Sequence, residues 1–141
     1  MKYDQVAVDA SFLLQMFLPE KKSAQAETLW KAWVGDHVEI VAPTLVAFEV
    51  SSVIRNKVFR GILGESEGRE ILGLLRQLDI SLIYDEELMD MAWEIGTILN
   101  TQNLYDCFYI ALAKLLRIPL WTTDKKLFQS AQKKFAFVNL L

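Results

Sequence analysis

Histidine and cysteine are almost absent from this chain: His37 and Cys107 are the only ones among its 141 residues. A single cysteine excludes an intrachain disulfide, and the two residues together cannot build a zinc site, which takes three or four nitrogen and sulfur ligands. Such scarcity suits a reducing cytosol. Proline is confined to Pro19, Pro43 and Pro119, and no low-complexity segment, internal repeat or linker-like stretch divides the chain. No apolar run approaches the roughly 18 residues that a membrane span requires. The opening Met1-Lys2-Tyr3-Asp4 lacks the basic patch and long apolar stretch of a secretory leader. A cytoplasmic protein with no membrane partner is therefore expected. Excess positive charge is missing too. The net charge of −3 argues against a passive nucleic-acid binder. A nuclease remains open, because a carboxylate site carries concentrated negative charge and its basic residues need only be local.

What is present is apolar and aromatic. The hydrophobic fraction is 52%, with four Trp and eight Phe, slightly more than a core of this size demands. The length is that of one domain, expected to span 1–141. Short apolar runs alternate with longer helical patterns, the signature of βαβ units and a parallel sheet. The predicted strands are 5–8, 38–41, 80–84, 119–122 and 136–138. The predicted helices are 10–18, 22–34, 43–59, 65–78, 86–99, 104–117 and 125–133, with Pro43 placed at a helix opening. The expectation is a three-layer α/β domain.

In an open parallel sheet, ligands bind beyond the carboxyl ends of the strands, near the point where strand order reverses. Asp9 directly follows the first strand and Asp124 the fourth. Each also fits a helix N-cap, a role that leaves a carboxylate oxygen free. Glu49 lies in the apolar stretch Leu45-Val46-Ala47-Phe48-Glu49-Val50, and Ser52 and Asn56 share its helical stripe. That stripe is either a narrow solvated face or one side of a polar cleft, where Ser52 and Asn56 orient the carboxylate or meet substrate. Asp106 opens another apolar helix, where with Asn103 it fits a cap and the helix dipole favours its ionised form. Hard divalent ions such as magnesium and manganese take oxygen ligands of this kind. Two carboxylates about 6 Å apart repel by roughly 3 kcal/mol at an effective dielectric near 20. A divalent cation reverses that sign, which favours an ion site over acids gathered without one.

These residues resemble the PIN-domain family, especially the VapC-type ribonuclease toxins of prokaryotic toxin–antitoxin pairs. The resemblance rests on Val8-Asp9-Ala10-Ser11, on Pro43 through Glu49, on Tyr105-Asp106 leading into Tyr109-Ile110-Ala111-Leu112-Ala113, and on Pro119-Leu120-Trp121-Thr122-Thr123-Asp124. It implies a five-stranded parallel sheet of order 3-2-1-4-5 flanked by helices. It also implies one or two Mg2+ or Mn2+ ions held by Asp9, Glu49, Asp106 and Asp124, which then act as the catalytic acids. RNA phosphodiester bonds would be cut by metal-activated water, leaving a 5′-phosphate and a 3′-hydroxyl. Ser11 and Thr122 match hydroxyl positions that support the acids. Cys107 departs from a position where alanine is common, and Ser52 from one that often carries an amide. A homodimer silenced by a cognate antitoxin is further implied. Trp30 and Trp33, with Ala26 and Leu29, offer either an antitoxin groove or an ordinary amphipathic helix face.

Arg55, Lys57, Arg60, Lys125 and Lys126 are candidates for guiding an RNA backbone, or else a solvated charged face. His37 reads as surface, and Tyr105 and Tyr109 as packing residues rather than base-stacking platforms. Two rivals to the nuclease remain. One is a PIN-like domain acting mainly as a protein- or RNA-binding module. The other is a phosphoacceptor receiver-like domain.

Overall fold

The computed structural model describes residues 3–141. Five strands, β1 (Gln5–Val8), β2 (Glu39–Pro43), β3 (Ser81–Ile83), β4 (Leu120–Thr122) and β5 (Val138–Leu140), form one sheet of order β3-β2-β1-β4-β5. Every neighbouring pair is parallel. The helices among the described residues are α1 (Ala10–Phe17), α2 (Ser23–Gly35), α3 (Leu45–Phe59), α4 (Glu65–Gln77), α5 (Glu87–Leu99), α6 (Tyr105–Leu116) and α7 (Lys125–Ala131). The predicted fold class and strand order are therefore the observed ones. Strand order reverses between β1 and β4, which lie side by side but lead into different helices. That is the switch point of an open parallel sheet.

Burial explains the helices. On α3, Val46, Val50 and Ile54 recur every fourth residue and all are buried. α6 is apolar on nearly every side, with Cys107 and the run from Tyr109 to Ala113 buried, because it lies against β1, β2 and β4 as well as α5. A Cβ on Gly96 would come within 2.5 Å of Leu104 Cδ2, so the leucine side chain at the start of α6 fills the space that glycine leaves on α5.

Most boundaries shift by one or two residues from the sequence expectation, and two of the shifts have a clear physical cause. Pro43 does not open a helix; it closes β2, opposite Ile83 of β3. The β1–β2 pairing ends at Ala7 and Val41, so no bond is lost at the missing proline N–H. The last strand begins two residues later than predicted, because 136–137 form a turn in which Phe135 O accepts from Val138 N at 3.1 Å. Of the two readings of the tryptophan stripe, the ordinary amphipathic helix face is the observed one for Ala26 and Trp30, while Leu29 and Trp33 also edge an apolar cleft. Trp30 and Trp33 are buried, and Trp33 packs on Phe12 and Trp121 with ring centroids 5.4 and 6.3 Å away. With Ala26 fully enclosed, this face of α2 is core. His37 is exposed, as expected.

Candidate metal centre

β1 and β4 are direct neighbours, with Val8 opposite Trp121, so the segments that follow them emerge side by side. Asp9 caps α1: its Oδ1 accepts from Phe12 N at 3.0 Å and from the Ser11 hydroxyl at 2.7 Å. The Thr122 hydroxyl donates to Asp9 Oδ2. Ser11 and Thr122 are themselves held. Thr123 N donates to Ser11 Oγ, and Asp124 N to Thr122 Oγ1, both at 3.0 Å. One polar network thus ties the two strand ends together.

Asp124 caps α7, its Oδ1 accepting from Lys126 N at 2.9 Å and Leu127 N at 3.2 Å. The capping reading therefore holds for both Asp9 and Asp124. Asp106 is different. Leu104 is the N-cap of α6 and makes no side-chain cap bond, while Asn103 Oδ1 accepts only from Tyr105 N at 3.4 Å. Asp106 lies in the first turn of α6, exposed, where the helix dipole favours a negative charge.

Glu49 is half-buried on α3, and its Oε1 accepts from the Tyr109 hydroxyl of α6 at 3.1 Å. That contact was expected from Ser52 or Asn56. Both are exposed on α3, and neither hydrogen-bonds Glu49. Tyr109 does pack in the core, but sequence reasoning missed its second role. The signal for it was the phenol: a hydroxyl within the apolar run of α6 must find a hydrogen-bond partner once buried.

The acids act on one another electrostatically. Burial, followed by the charge of Asp106, raises the Asp9 carboxyl from its ordinary 3.8 to about 6, against the lowering effect of its three hydrogen bonds. Burial and then Asp106 raise Glu49, while the Tyr109 bond lowers it. Burial and then Asp124 raise Asp106. Asp106 is therefore the charge that links the other three. Among the described residues, however, no group of three or more Asp, Glu, His or Cys side chains is already closed around a point that could hold an ion. Asp9, Glu49 and Asp124 are each held by donors of their own.

The predicted basic residues are scattered. Arg55 is exposed and pairs with Glu65 at 3.4 Å. Lys57 is half-buried in the last turn of α3, where it complements the helix dipole, and Arg60 caps that helix. Lys125 and Lys126 are exposed directly beside Asp124. Tyr105, expected to pack, is instead 58% exposed.

A doubly wound parallel sheet with an all-oxygen acidic cluster at its carboxyl end defines the general class. Comparison with known proteins supplies the family. Residues 6–134 match the PIN domain model, and the chain belongs to the PIN-domain family. A VapC ribonuclease of Mycobacterium bovis is 33% identical over 130 residues, covering 90% of this chain and 91% of its own. The ribonuclease VapC3 of Pyrobaculum aerophilum is 31% identical over 129 residues, covering 87% and 92%. Among solved structures, the VapC20 toxin of Mycobacterium tuberculosis, described as cleaving the sarcin-ricin loop, superposes with a TM-score of 0.68 at 14% identity, covering 89% of this chain and 95% of its own. A toxin–antitoxin complex from Klebsiella pneumoniae superposes at 0.65 and 17% identity, covering 95% of each. The receiver-like alternative falls here, because that fold orders its strands 2-1-3-4-5 and this sheet runs 3-2-1-4-5.

Proposed function

We propose that this chain is the endoribonuclease toxin of a type II toxin–antitoxin pair and works with Mg2+ or Mn2+. The observation that carries the reading is that Asp9, Glu49 and Asp124 each lie near enough to Asp106 to share an electrostatic interaction with it, at the carboxyl end of a PIN-domain sheet. The donor set fits a hard divalent ion. It is all oxygen, and burial and a neighbouring charge hold the Asp9 carboxyl up at about 6, a cost that a cation offsets. The four acids would hold one or two ions. When bound, such an ion lowers the pKa of water and neutralises charge developing on a phosphodiester.

The chain's own residues do the positioning. Ser11 and Thr122 fix both oxygens of Asp9. Asp106 lies open to solvent at a helix N-terminus, where the dipole favours its charge. Lys125 and Lys126 lie close enough to Asp124 to attract an RNA backbone. Exposed apolar side chains on α3 and α5, Phe48 and Phe59 with Met89 and Trp93, suit burial against a second copy of the chain. The VapC relatives and the toxin–antitoxin neighbour support RNA as substrate and an antitoxin as partner.

The unclosed acid cluster favours a second reading, a domain that keeps the PIN fold and acts by binding. Sequencing of RNA ends after expression of wild type and Asp9→Asn in the same cells separates the two. New 5′-phosphate ends that depend on Asp9 support the nuclease; identical end profiles leave the binding module.

A further inference from the structure

Tyr109 is the bulkiest of the fully buried side chains, at 1% exposed, yet it keeps its one polar atom inside the acidic cluster. Its ring belongs to α6 and its hydroxyl meets α3, two helices that approach the site from different parts of the chain. We propose that Tyr109 is a positioning residue, whose hydroxyl holds Glu49 Oε1 and so presents Glu49 to the divalent ion through its other oxygen. The inference rests on the metal-dependent reading above.

Two observations carry it. The first is the donor–acceptor pair itself, Tyr109 Oη to Glu49 Oε1 at 3.1 Å. The second is uniqueness: among the described residues Tyr109 is the donor that Glu49 accepts from, so nothing else fixes this long side chain. Holding a glutamate in one rotamer is entropically unfavourable, and a rigid buried donor achieves it before the ion arrives. Ser11 and Thr122 serve Asp9 in the same way from the other side of the site. The acidic cluster thus has hydroxyl supports on two of its acids, one pair legible from sequence pattern and one not. Donors of this kind around metal ligands typically change ion affinity by about 10- to 100-fold when removed.

The test compares wild type, Tyr109→Phe, Glu49→Gln and the double variant. Mn2+ binding is followed by calorimetry and by electron paramagnetic resonance, and cleavage by a fluorogenic RNA. Tyr109→Phe keeps the ring, so its melting temperature in chelator should stay within about 4 °C of wild type. Its Mn2+ affinity should fall about 10-fold and kcat with it, at an unchanged KM for RNA. In the Glu49→Gln background the same substitution should add nothing, because the hydroxyl acts through Glu49. Mn2+ affinity and kcat within about twofold of wild type would reduce Tyr109 to a core residue. So would an equal loss in both backgrounds. A wild-type chain that binds no Mn2+ removes the metal reading and this role together. Should Tyr109→Phe not fold, the hydroxyl proton of wild-type Tyr109 serves instead. It should give a slowly exchanging magnetic-resonance signal that shifts on Mg2+ addition, and a signal indifferent to Mg2+ overturns the role.

Discussion

The two ends of the sheet are built from the same five strands and have opposite character. At the carboxyl end, β1 and β4 run into the N-termini of α1 and α7, and Asp9 and Asp124 cap those helices. Unpaired N–H groups and the positive ends of helix dipoles gather there, which suits negative charge. At the amino end the chain leaves helices instead. α2 and α6 give way to β2 and β4 through His37 and Arg117, each with left-handed backbone at φ 58° and 56°. That end carries an apolar cleft walled by Trp33, Trp121, Ile118 and Phe137, with Lys114 and Arg117 as its cations. The parallel βα arrangement dictates this polarity. Asp9, Asp106 and Asp124 accordingly stand at helix N-termini.

Substitutions at the two ends should therefore differ in kind, and the largest difference should be in chemistry. Asp9→Asn or Asp106→Asn is expected to lower RNA cleavage by at least about 100-fold while leaving circular dichroism intact and the metal-free melting temperature at or above the wild-type value. In Asp9→Asn the amide oxygen can keep the cap bond to Phe12 N, and the Thr122 hydroxyl can turn to Ser11, 3.1 Å away. A drop of several kcal/mol in metal-free stability would show that capping alone had retained Asp9.

The next effect is on stability against pH. The folded-state carboxyl of Asp9 is raised to about 6 from 3.8, so the folded chain binds this proton more tightly than the unfolded one. Its contribution is fully present below pH 3.8 and is lost as pH rises through about 6, a change of about 3 kcal/mol. Urea unfolding in chelator should show that loss. Asp9→Asn should remove most of it, leaving the slope of Glu49 and Asp106, which are raised in the same direction. Saturating Mg2+ should abolish the decline in wild type. A metal-free stability that rises across this interval would contradict the buried, uncompensated carboxylate.

Thr122→Val tests the network that joins the two acids. The hydroxyl is fully buried, donates to Asp9 and accepts from Asp124 N. Its removal should destabilise the protein by about 1–3 kcal/mol and lower cleavage, whereas a neutral result would mean that water replaces it. The smallest effect belongs to the amino end. Arg117→Gly relieves a left-handed residue and should change stability by less than about 1 kcal/mol, with RNA cleavage unaltered. Loss of activity there would break the division between the ends.

Much of this protein is written in local pattern. Val6-Ala7-Val8 before Asp9, and the fourfold spacing of Val46, Val50 and Ile54, state strand and helix without reference to the rest of the chain. A strand-end aspartate is likewise a local feature, so Asp9 and Asp124 were visible as caps and as site candidates at once. Trp30 and Trp33 were not decidable, because an apolar helical stripe looks the same whether it faces the sheet or a partner. Pro43 read as a helix opening, because whether a proline N–H is needed depends on where the neighbouring strand stops.

Residue types and their spacing, then, determined the elements, the strand order through family pattern, and which carboxylates stand at strand or helix ends. Only the tertiary structure decided that Tyr109, 60 residues from Glu49 along the chain, donates to it, and that Thr122 is sealed against Asp9 rather than left in water. The reason is range: capping and periodicity act over one or two turns, while burial, and the carboxyl pKa values it raises, depend on every segment that closes over the site.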